Sequence, residues 1–297
     1  MNQPKSVVTV GTFDGVHRGH AEVIKTVVDE ANKLGMRPLA ITFDRHPLSV
    51  VAPERAPRLI TDCATRDRLL RALGTEVATI PFTEDVRKLT AAQWMRKMKE
   101  DFGAEVVVIG YDNTFGSDGL GLKLTDFERI GEECGLKVIL APMLAGCSSS
   151  AVREAIKAGN VGVAADILGR PFEVAGTVAP GRRIGRTIGA PTANLRTAPD
   201  ALIPGNGVYA AWAHVDDDPK GIKAVVNVGT SPTVNSSGTV TIEAHLLDFH
   251  RDIYGKRLRL KFMARIRDEK KFDRISQLRD QIADDARNAR TILEFAK

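Results

Sequence analysis

The sequence predicts a chain in two parts, an α/β half built on a parallel sheet and a small antiparallel β-barrel with a terminal helix. Three observations predict it. Up to about residue 145, short apolar runs alternate with segments of helical periodicity, the pattern of a parallel sheet covered on both faces. From residue 172 the runs become β-rich and alternating, with Gly, Pro and Asn turns between them, the pattern of a small barrel. Finally, Ile275, Leu278, Ile282, Ala286, Ala289 and Leu293 recur at helical spacing, which predicts a helix over 275–296 packed on the barrel. A length of 297 residues allows two domains. The change of pattern at Ala164–Pro171 sets them at 1–165 and 166–297.

The first strand, Val7–Val10, runs into Gly11-Thr-Phe-Asp-Gly-Val-His-Arg-Gly-His20. A helix follows, with Val23, Ile24, Val27, Val28, Ala31 and Leu34 on one face and Gly35 as its stop. A strand, a glycine-rich turn and a helix N-terminus make an anion site, because free N–H groups and the positive end of the helix dipole point at the turn. His17 and His20, three residues apart, can face the same side as donors to a phosphate oxygen. A zinc site would need further ligands at suitable spacing, and none is near. The turn is neither Gly-x-Gly-x-x-Gly nor a phosphate loop ending in Gly-Lys-Ser/Thr. A His-x-x-His on a surface helix is often without a role; here it is joined to Phe13, Asp14 and three glycines behind a strand.

Pro38–Phe43, Val77–Ile80, Val106–Ile109 and Val138–Ala141 read as buried strands, and segments near 84–101 and 125–134 as helices. Ligands of such sheets bind beyond the carboxyl ends of the strands. The turn after strand one, Asp44-Arg-His-Pro47 and Gly110-Tyr-Asp-Asn-Thr-Phe-Gly116 all fall at such ends. Taken singly, each is equally an ordinary strand-to-helix loop. Cys147-Ser-Ser-Ser-Ala-Val-Arg153 opens a helix running to Gly159. Its serines are N-caps, or, with Arg153 one turn beyond Ser149 or Ser150, they face one anion together.

These residues carry a resemblance. Residues 11–20 resemble the signature of the nucleotidylyltransferase superfamily, in the form found in the adenylyltransferase module of bacterial bifunctional riboflavin kinase/FAD synthetases. The second segment is similar to that family's Phe-x-Pro-His-Pro, with Arg45 in place of the first proline. The third keeps Asp112 and Phe115, with Asn113 where an aromatic is usual. The serine segment resembles Ser-Ser-Thr-x-x-Arg, with Ser150 in place of Thr. The resemblance implies a Rossmann-like sheet and an ATP site made by Gly11, Phe13, Asp14, Gly15, His17, His20, Asp112, Ser149, Ser150 and Arg153. In it, His17 and His20 stabilise the transferring phosphoryl, Ser149 and Arg153 hold the leaving pyrophosphate, and Mg²⁺ bridges oxygens.

In the second half, strands are predicted at Phe172–Val178, Gly207–Val215, Lys223–Val228, Val240–Leu247 and Leu258–Arg267. Between the first two lies Gly181-Arg-Arg-Ile-Gly-Arg-Thr-Ile-Gly189, either a cationic flap suited to phosphate or a basic surface hairpin. Pro191-Thr-Ala-Asn194 offers hard oxygen ligands of the kind Mg²⁺ accepts. Glu243 alternates within a strand, as a general base or as a solvent-facing carboxylate. Pro-Thr-Ala-Asn, Asn227-Val-Gly-Thr-Ser-Pro-Thr233, Glu243-x-His-Leu-x-Asp-Phe249, Tyr254-Gly-Lys256 and Arg267-Asp-Glu-Lys-Lys-Phe272 resemble the riboflavin kinase module, in its order. That resemblance implies ATP and flavin binding by Gly181, Arg182, Gly185, Arg186, Thr192 and Asn194. It also implies Mg²⁺ on Thr192 and Asn194, and Glu243 as base for the ribityl 5′-hydroxyl.

The expected activities are phosphorylation of riboflavin to FMN by the second domain and adenylylation of FMN to FAD by the first, each with ATP. A net charge of +5 suits such anionic substrates. A nucleotidylyltransferase of another pathway would leave Thr192, Asn194 and Glu243 unexplained. A nucleic-acid-binding protein would rest on the arginines of 182–186 and the basic stretch 251–274. Aromatics make up only 5% of the chain and do not interleave those stretches as stacking platforms would. Cys63, Cys134 and Cys147 show no paired spacing, there is no apolar leader, and no stretch approaches a membrane span. The expectation is a cytoplasmic enzyme of small-molecule substrates, a monomer or weak homo-oligomer, with neither nucleic acid nor membrane as partner.

Overall fold

The computed structural model describes residues 3–111, 115–180, 190–216, 218–231 and 239–295. The chain divides into two compact units, Met1–Ser149 and Ser150–Lys297.

The first unit is a five-stranded parallel sheet of β1 (Ser6–Val10), β2 (Arg37–Phe43), β3 (Glu76–Ile80), β4 (Ala104–Ile109) and β5 (Lys137–Leu140), in the order β3-β2-β1-β4-β5. Successive residues of a strand point to opposite faces, and the core divides accordingly. Val7, Val106 and Val108 pack against Val23, Val27 and Ala31 of α1 (Arg18–Leu34). Val8, Val10, Val107 and Ile109 pack on the other face with residues of two further helices. These are α5 (Ala91–Phe102), through Trp94, Met95 and Met98, and α6 (Leu124–Glu133), through Phe127 and Ile130. The order reverses between β1 and β4, so the turn after β1 lies at the topological switch point of the sheet.

Three sequence expectations need correction here. β3 and β5 are edge strands and only half-buried, because each has a partner on one side alone. The helix expected near 84–101 is two, α4 (Glu84–Lys88) and α5. Thr90 and Gln93 form a reciprocal capping box, which starts a new helix at Ala91. Between β2 and β3 lie α2 (Leu48–Val51), a 3₁₀ turn at Pro53–Arg55 and α3 (Cys63–Ala72), none of them anticipated.

The second unit opens with α7 (Ser149–Lys157, whose first residue belongs to the first unit) and α8 (Val161–Leu168). A closed antiparallel barrel follows: β6 (Phe172–Ala179), β7 (Ala193–Thr197), β8 (Gly207–Val215), β9 (Ile222–Ser231), β10 (Thr239–Leu246) and β11 (Arg257–Arg267). Their order is β10-β7-β6-β11-β8-β9, closed by the β9–β10 ladder. The expected antiparallel barrel is therefore present, with β7 as a strand the periodicity did not disclose. Its interior is filled by Phe172, Tyr209, Leu258, Leu260 and Phe262, all under 2% exposed, with Tyr209 edge-on to Phe262 at 5.4 Å. Outside, Ala289 and Leu293 of α9 (Ile275–Phe295) cover Val208, Ala210 and Val225. Only the second half of α9 is buried; Ile275, expected on its packed face, is 72% exposed. Asp285 on α9 is buried and pairs with Arg267 at the end of β11, N–O 2.7 Å.

Candidate active sites

In the first unit the turn after β1 is held by its own backbone. Gly15, at φ 85°, is flanked by Phe13 at 48° and Val16 at 40°, conformations that side chains adopt only under constraint. A Cβ on Gly11 would lie 3.1 Å from the Phe13 ring, so the glycine lets that ring fold under the turn. Asp14 is 4% exposed, and its carboxylate accepts backbone N–H bonds from Ile60 (3.0 and 3.1 Å) and Thr61 (3.1 Å). Thr61 returns a contact, its hydroxyl accepting from the Gly15 N–H at 3.1 Å. The segment before α3 is thereby pinned to the turn.

His17 is the N-cap of α1, its Nδ1 accepting from the His20 N–H at 3.3 Å. A neutral imidazole with an accepting Nδ1 carries its proton on Nε2. The two imidazoles lie together, as their spacing predicts: the rings stack at 3.6 Å and 19°, and the Phe13 edge meets His20 at 5.3 Å. Ser149 Oγ donates to the Asp14 carbonyl at 2.9 Å. Ser150 and Arg153 lie on α7, in the second unit. Arg45 and His46 of the loop after β2 line a small crevice with Thr12 and Asp14 of the turn, so these two expected segments converge. Cys63 and Arg66 of α3 line it too, residues that sequence reasoning missed. Asp112 lies outside the described residues.

In the second unit the site is a matter of register. Glu243 on β10 pairs with Asn194 on β7 and with Asn227 on β9. Their strand neighbours Ile242, Ala244, Ala193 and Val228 are buried in the barrel, so Asn194, Glu243 and Asn227 form a half-exposed row on the outer face. Thr192 Oγ1 donates to Glu243 Oε2 at 3.3 Å. The His245 ring donates from Nδ1 to the Pro191 carbonyl at 2.9 Å, which fixes the residue before Thr192. Asn227 Nδ2 donates to Glu269 Oε1 at 3.3 Å. Glu269 lies over Gly229, where any Cβ would collide with it. Asn227 was legible as part of a motif but not as a neighbour of Glu243, since only the ladder reveals the row. Beside Thr192 opens a cleft of about 350 Å³ with Val178, Leu246, Phe249 and Tyr254 in its wall. The Arg251 guanidinium sits 5.1 Å over the Phe249 ring. Gly181, Arg182, Gly185 and Arg186 lie outside the described residues.

The chemistry of the two sites differs. Stacked imidazoles at a helix N-terminus suit an anion, whereas a carboxylate beside a hydroxyl and two amides suits a proton transfer next to a hard cation. Known proteins divide in the same way. Residues 1–152 match the FAD synthetase family and residues 168–293 the riboflavin kinase family. A bifunctional riboflavin kinase/FMN adenylyltransferase of Bacillus subtilis is 34% identical over 97% of this chain and 92% of its own length. That of Escherichia coli K12 is 32% identical over 99% and 95%. A crystal structure from Streptococcus pneumoniae, described as a macrolide-efflux protein, superposes with a TM-score of 0.87 at 32% identity, over 97% of this chain and 94% of that one. Transport is said of that protein alone; among the described residues here, no helix is long and apolar enough to cross a membrane. Two family matches in sequence order and relatives aligned over nearly their whole length lead to one conclusion: this chain belongs to the bifunctional riboflavin kinase/FMN adenylyltransferase family.

Proposed function

We infer that the protein makes FMN from riboflavin with the domain at 166–297, and FAD from FMN with the domain at 1–165, using one ATP in each step. The observation that carries the kinase reading is the Thr192–Glu243 hydrogen bond within the row formed with Asn194 and Asn227. Glu243 Oε2 is engaged by the hydroxyl, which orients the carboxylate and leaves Oε1 to accept the proton of the ribityl 5′-hydroxyl. The new bond joins that oxygen to the γ-phosphorus of ATP, and the bond to the β-phosphate oxygen breaks. A carboxylate is a weak base for an alcohol, so it takes the proton only as the O–P bond forms. The Thr192 hydroxyl and the Asn194 amide oxygen are hard donors that fit Mg²⁺, which when bound supplies charge neutralisation at the phosphates. The cleft beside Thr192 has the size and the aromatic wall for a planar heterocycle of a substrate.

For adenylylation, a phosphate oxygen of FMN attacks the α-phosphorus of ATP in line, and pyrophosphate leaves. Both reactants are anions, so the protein aligns them and neutralises charge rather than supplying a nucleophile. His17 donates from Nε2, and His20, held by the stack, presents the second ring to the transferring phosphoryl. Ser149 and Arg153 hold the leaving pyrophosphate in this reading, with the Ser150 hydroxyl as a further phosphate contact, since hydroxyls and a guanidinium suit such an anion. Gly11, Phe13, Asp14 and Gly15 build the turn that the nucleotide approaches. The same reading makes this a cytoplasmic enzyme, a monomer or weak homo-oligomer, acting on small molecules and not on nucleic acid.

The test is a time course with riboflavin, ATP and Mg²⁺, the flavins separated by chromatography. FMN rises first and FAD follows. Glu243→Gln slows FMN formation by about 10²–10⁴-fold, the range of general-base catalysis, while added FMN is still converted to FAD. FMN without FAD refutes the reading of the first domain, and no flavin conversion refutes both.

A further inference from the structure

Arg66 is 6% exposed in a helix that the sequence reading passed over, and it has no part in the chemistry described above. Its guanidinium is already engaged. Nη1 donates to the carbonyl of Phe43, the last residue of β2, at 2.8 Å. Nε and Nη2 both donate to Asp67 Oδ1, at 3.0 and 2.8 Å. Asp67 in turn accepts from Thr79 of β3, through Oδ2 at 2.8 Å. One residue on, the Asp44 carbonyl accepts from Cys63 Sγ at 3.2 Å, and Asp44 Oδ1 accepts from the Phe82 N–H at 2.9 Å. The loop that carries Arg45 and His46 is therefore anchored at its start by α3 on one side and by the end of β3 on the other. The same α3 is anchored at its own start to the catalytic turn, through Asp14 and Thr61. Its first turn is thus the polar link between the two segments that form the crevice.

We propose that Arg66 is a positioning residue for FMN adenylylation: with Asp67 and Thr79 it fixes the Asp44–Pro47 loop against the turn of residues 11–17. The proposal rests on the adenylyltransferase reading of the first domain. A buried arginine beside a site for two polyanions has an obvious rival role, direct attraction of substrate. The geometry argues against that role, since Arg66 spends three donor contacts within the protein and its charge is balanced by Asp67, which is itself only 16% exposed.

The two roles separate by sign. Arg66→Met removes a cation and Asp67→Asn removes an anion. Direct attraction predicts opposite shifts in KM for FMN and ATP. Positioning predicts that both variants lose kcat for FAD formation, by about tenfold for one charged hydrogen bond, with a smaller loss in the same direction for Thr79→Val. FMN formation by the same chain stays at the wild-type rate and reports that the second domain is folded, and a cooperative urea transition of the first unit reports that it is folded too. A second readout is independent of activity. In a C134S/C147S background, alkylation of Cys63 accelerates in Thr79→Val, which leaves the charges of Arg66 and Asp67 beside the thiol unchanged, because burial and its bond to Asp44 restrain that thiol. Opposite KM shifts, a kcat within about twofold of wild type in both variants, or unchanged Cys63 labelling overturns the proposal. If Arg66→Met unfolds the first unit, Asp67→Asn and Thr79→Val decide it by the same criteria. A wild-type protein that makes no FAD refutes the adenylyltransferase reading, and the labelling still decides whether Arg66, Asp67 and Thr79 together hold the loop.

Discussion

Thr192, the residue before β7, and Glu243 of β10 meet through one hydrogen bond of 3.3 Å, hydroxyl to carboxylate, between segments that are remote in sequence. The hydroxyl has two tasks in the proposed kinase reaction: it orients the base, and its oxygen would be a hard donor to a bound cation. Thr192→Val keeps the shape and removes both. The expected loss in riboflavin phosphorylation is about 10–100-fold, typical for a group that orients a metal ligand or a base. Added Mg²⁺ restores only part of it. Steady-state rates over a range of Mg²⁺ concentrations check this; a variant with wild-type kcat shows that the hydroxyl orients nothing.

Asp14 ties the first unit together through backbone donors. Its buried carboxylate accepts from Ile60 and Thr61, so Asp14→Ala leaves two N–H groups without their acceptor. Each orphaned buried donor costs about 1–3 kcal/mol, and the expected destabilisation is about 3 kcal/mol. It appears in urea unfolding followed by Trp94 fluorescence in a Trp212→Phe background, and FAD formation falls while FMN formation does not. An unchanged unfolding midpoint contradicts the structural role given to this carboxylate.

His214 predicts a pH dependence in the barrel. The residue is 7% exposed, and burial pushes its imidazole below the usual value of 6.5. The Asp218 carbonyl and Glu173 oppose that shift, while Lys261 and Arg259 reinforce it. The folded state therefore keeps His214 neutral where the unfolded chain binds a proton. Stability from this residue is complete above pH 6.5 and is lost as pH falls through that value toward the lower folded pKa. Thermal unfolding from pH 8 to 5 should show an acid decline that His214→Gln reduces. Equal slopes in the two proteins disprove it.

Much of this was legible beforehand, and the reasons are physical. The turn 11–20 announces itself because glycines, a helix start and two histidines coincide within ten residues. The central strands β1, β2 and β4 are apolar without alternation because helices cover both their faces. β7 stayed hidden because it has only five residues, and they begin inside a segment that reads as ligand chemistry. α3 stayed hidden because its sequence, Cys-Ala-Thr-Arg-Asp-Arg-Leu-Leu-Arg-Ala, is too polar to show an apolar stripe. Its one fully buried aliphatic, Leu70, works together with a buried arginine. The row Asn194–Glu243–Asn227 could not be read at all, since register belongs to pairs of strands and not to any one of them.

The Arg267–Asp285 pair has a consequence for the kinase site. Two residues beyond Arg267 the chain reaches Glu269, whose carboxylate touches Asn227, the neighbour of Glu243. Where the polypeptide leaves the barrel is thus set by a carboxylate on the final helix. A protein shortened to residue 274 would retain every strand among the described residues and still lose the tether that aims Glu269 at the outer row. The terminal helix is in this sense a remote part of the proposed kinase site, and a tag or fusion that strains it would act on phosphoryl transfer as well as on the packing over Val208, Ala210 and Val225.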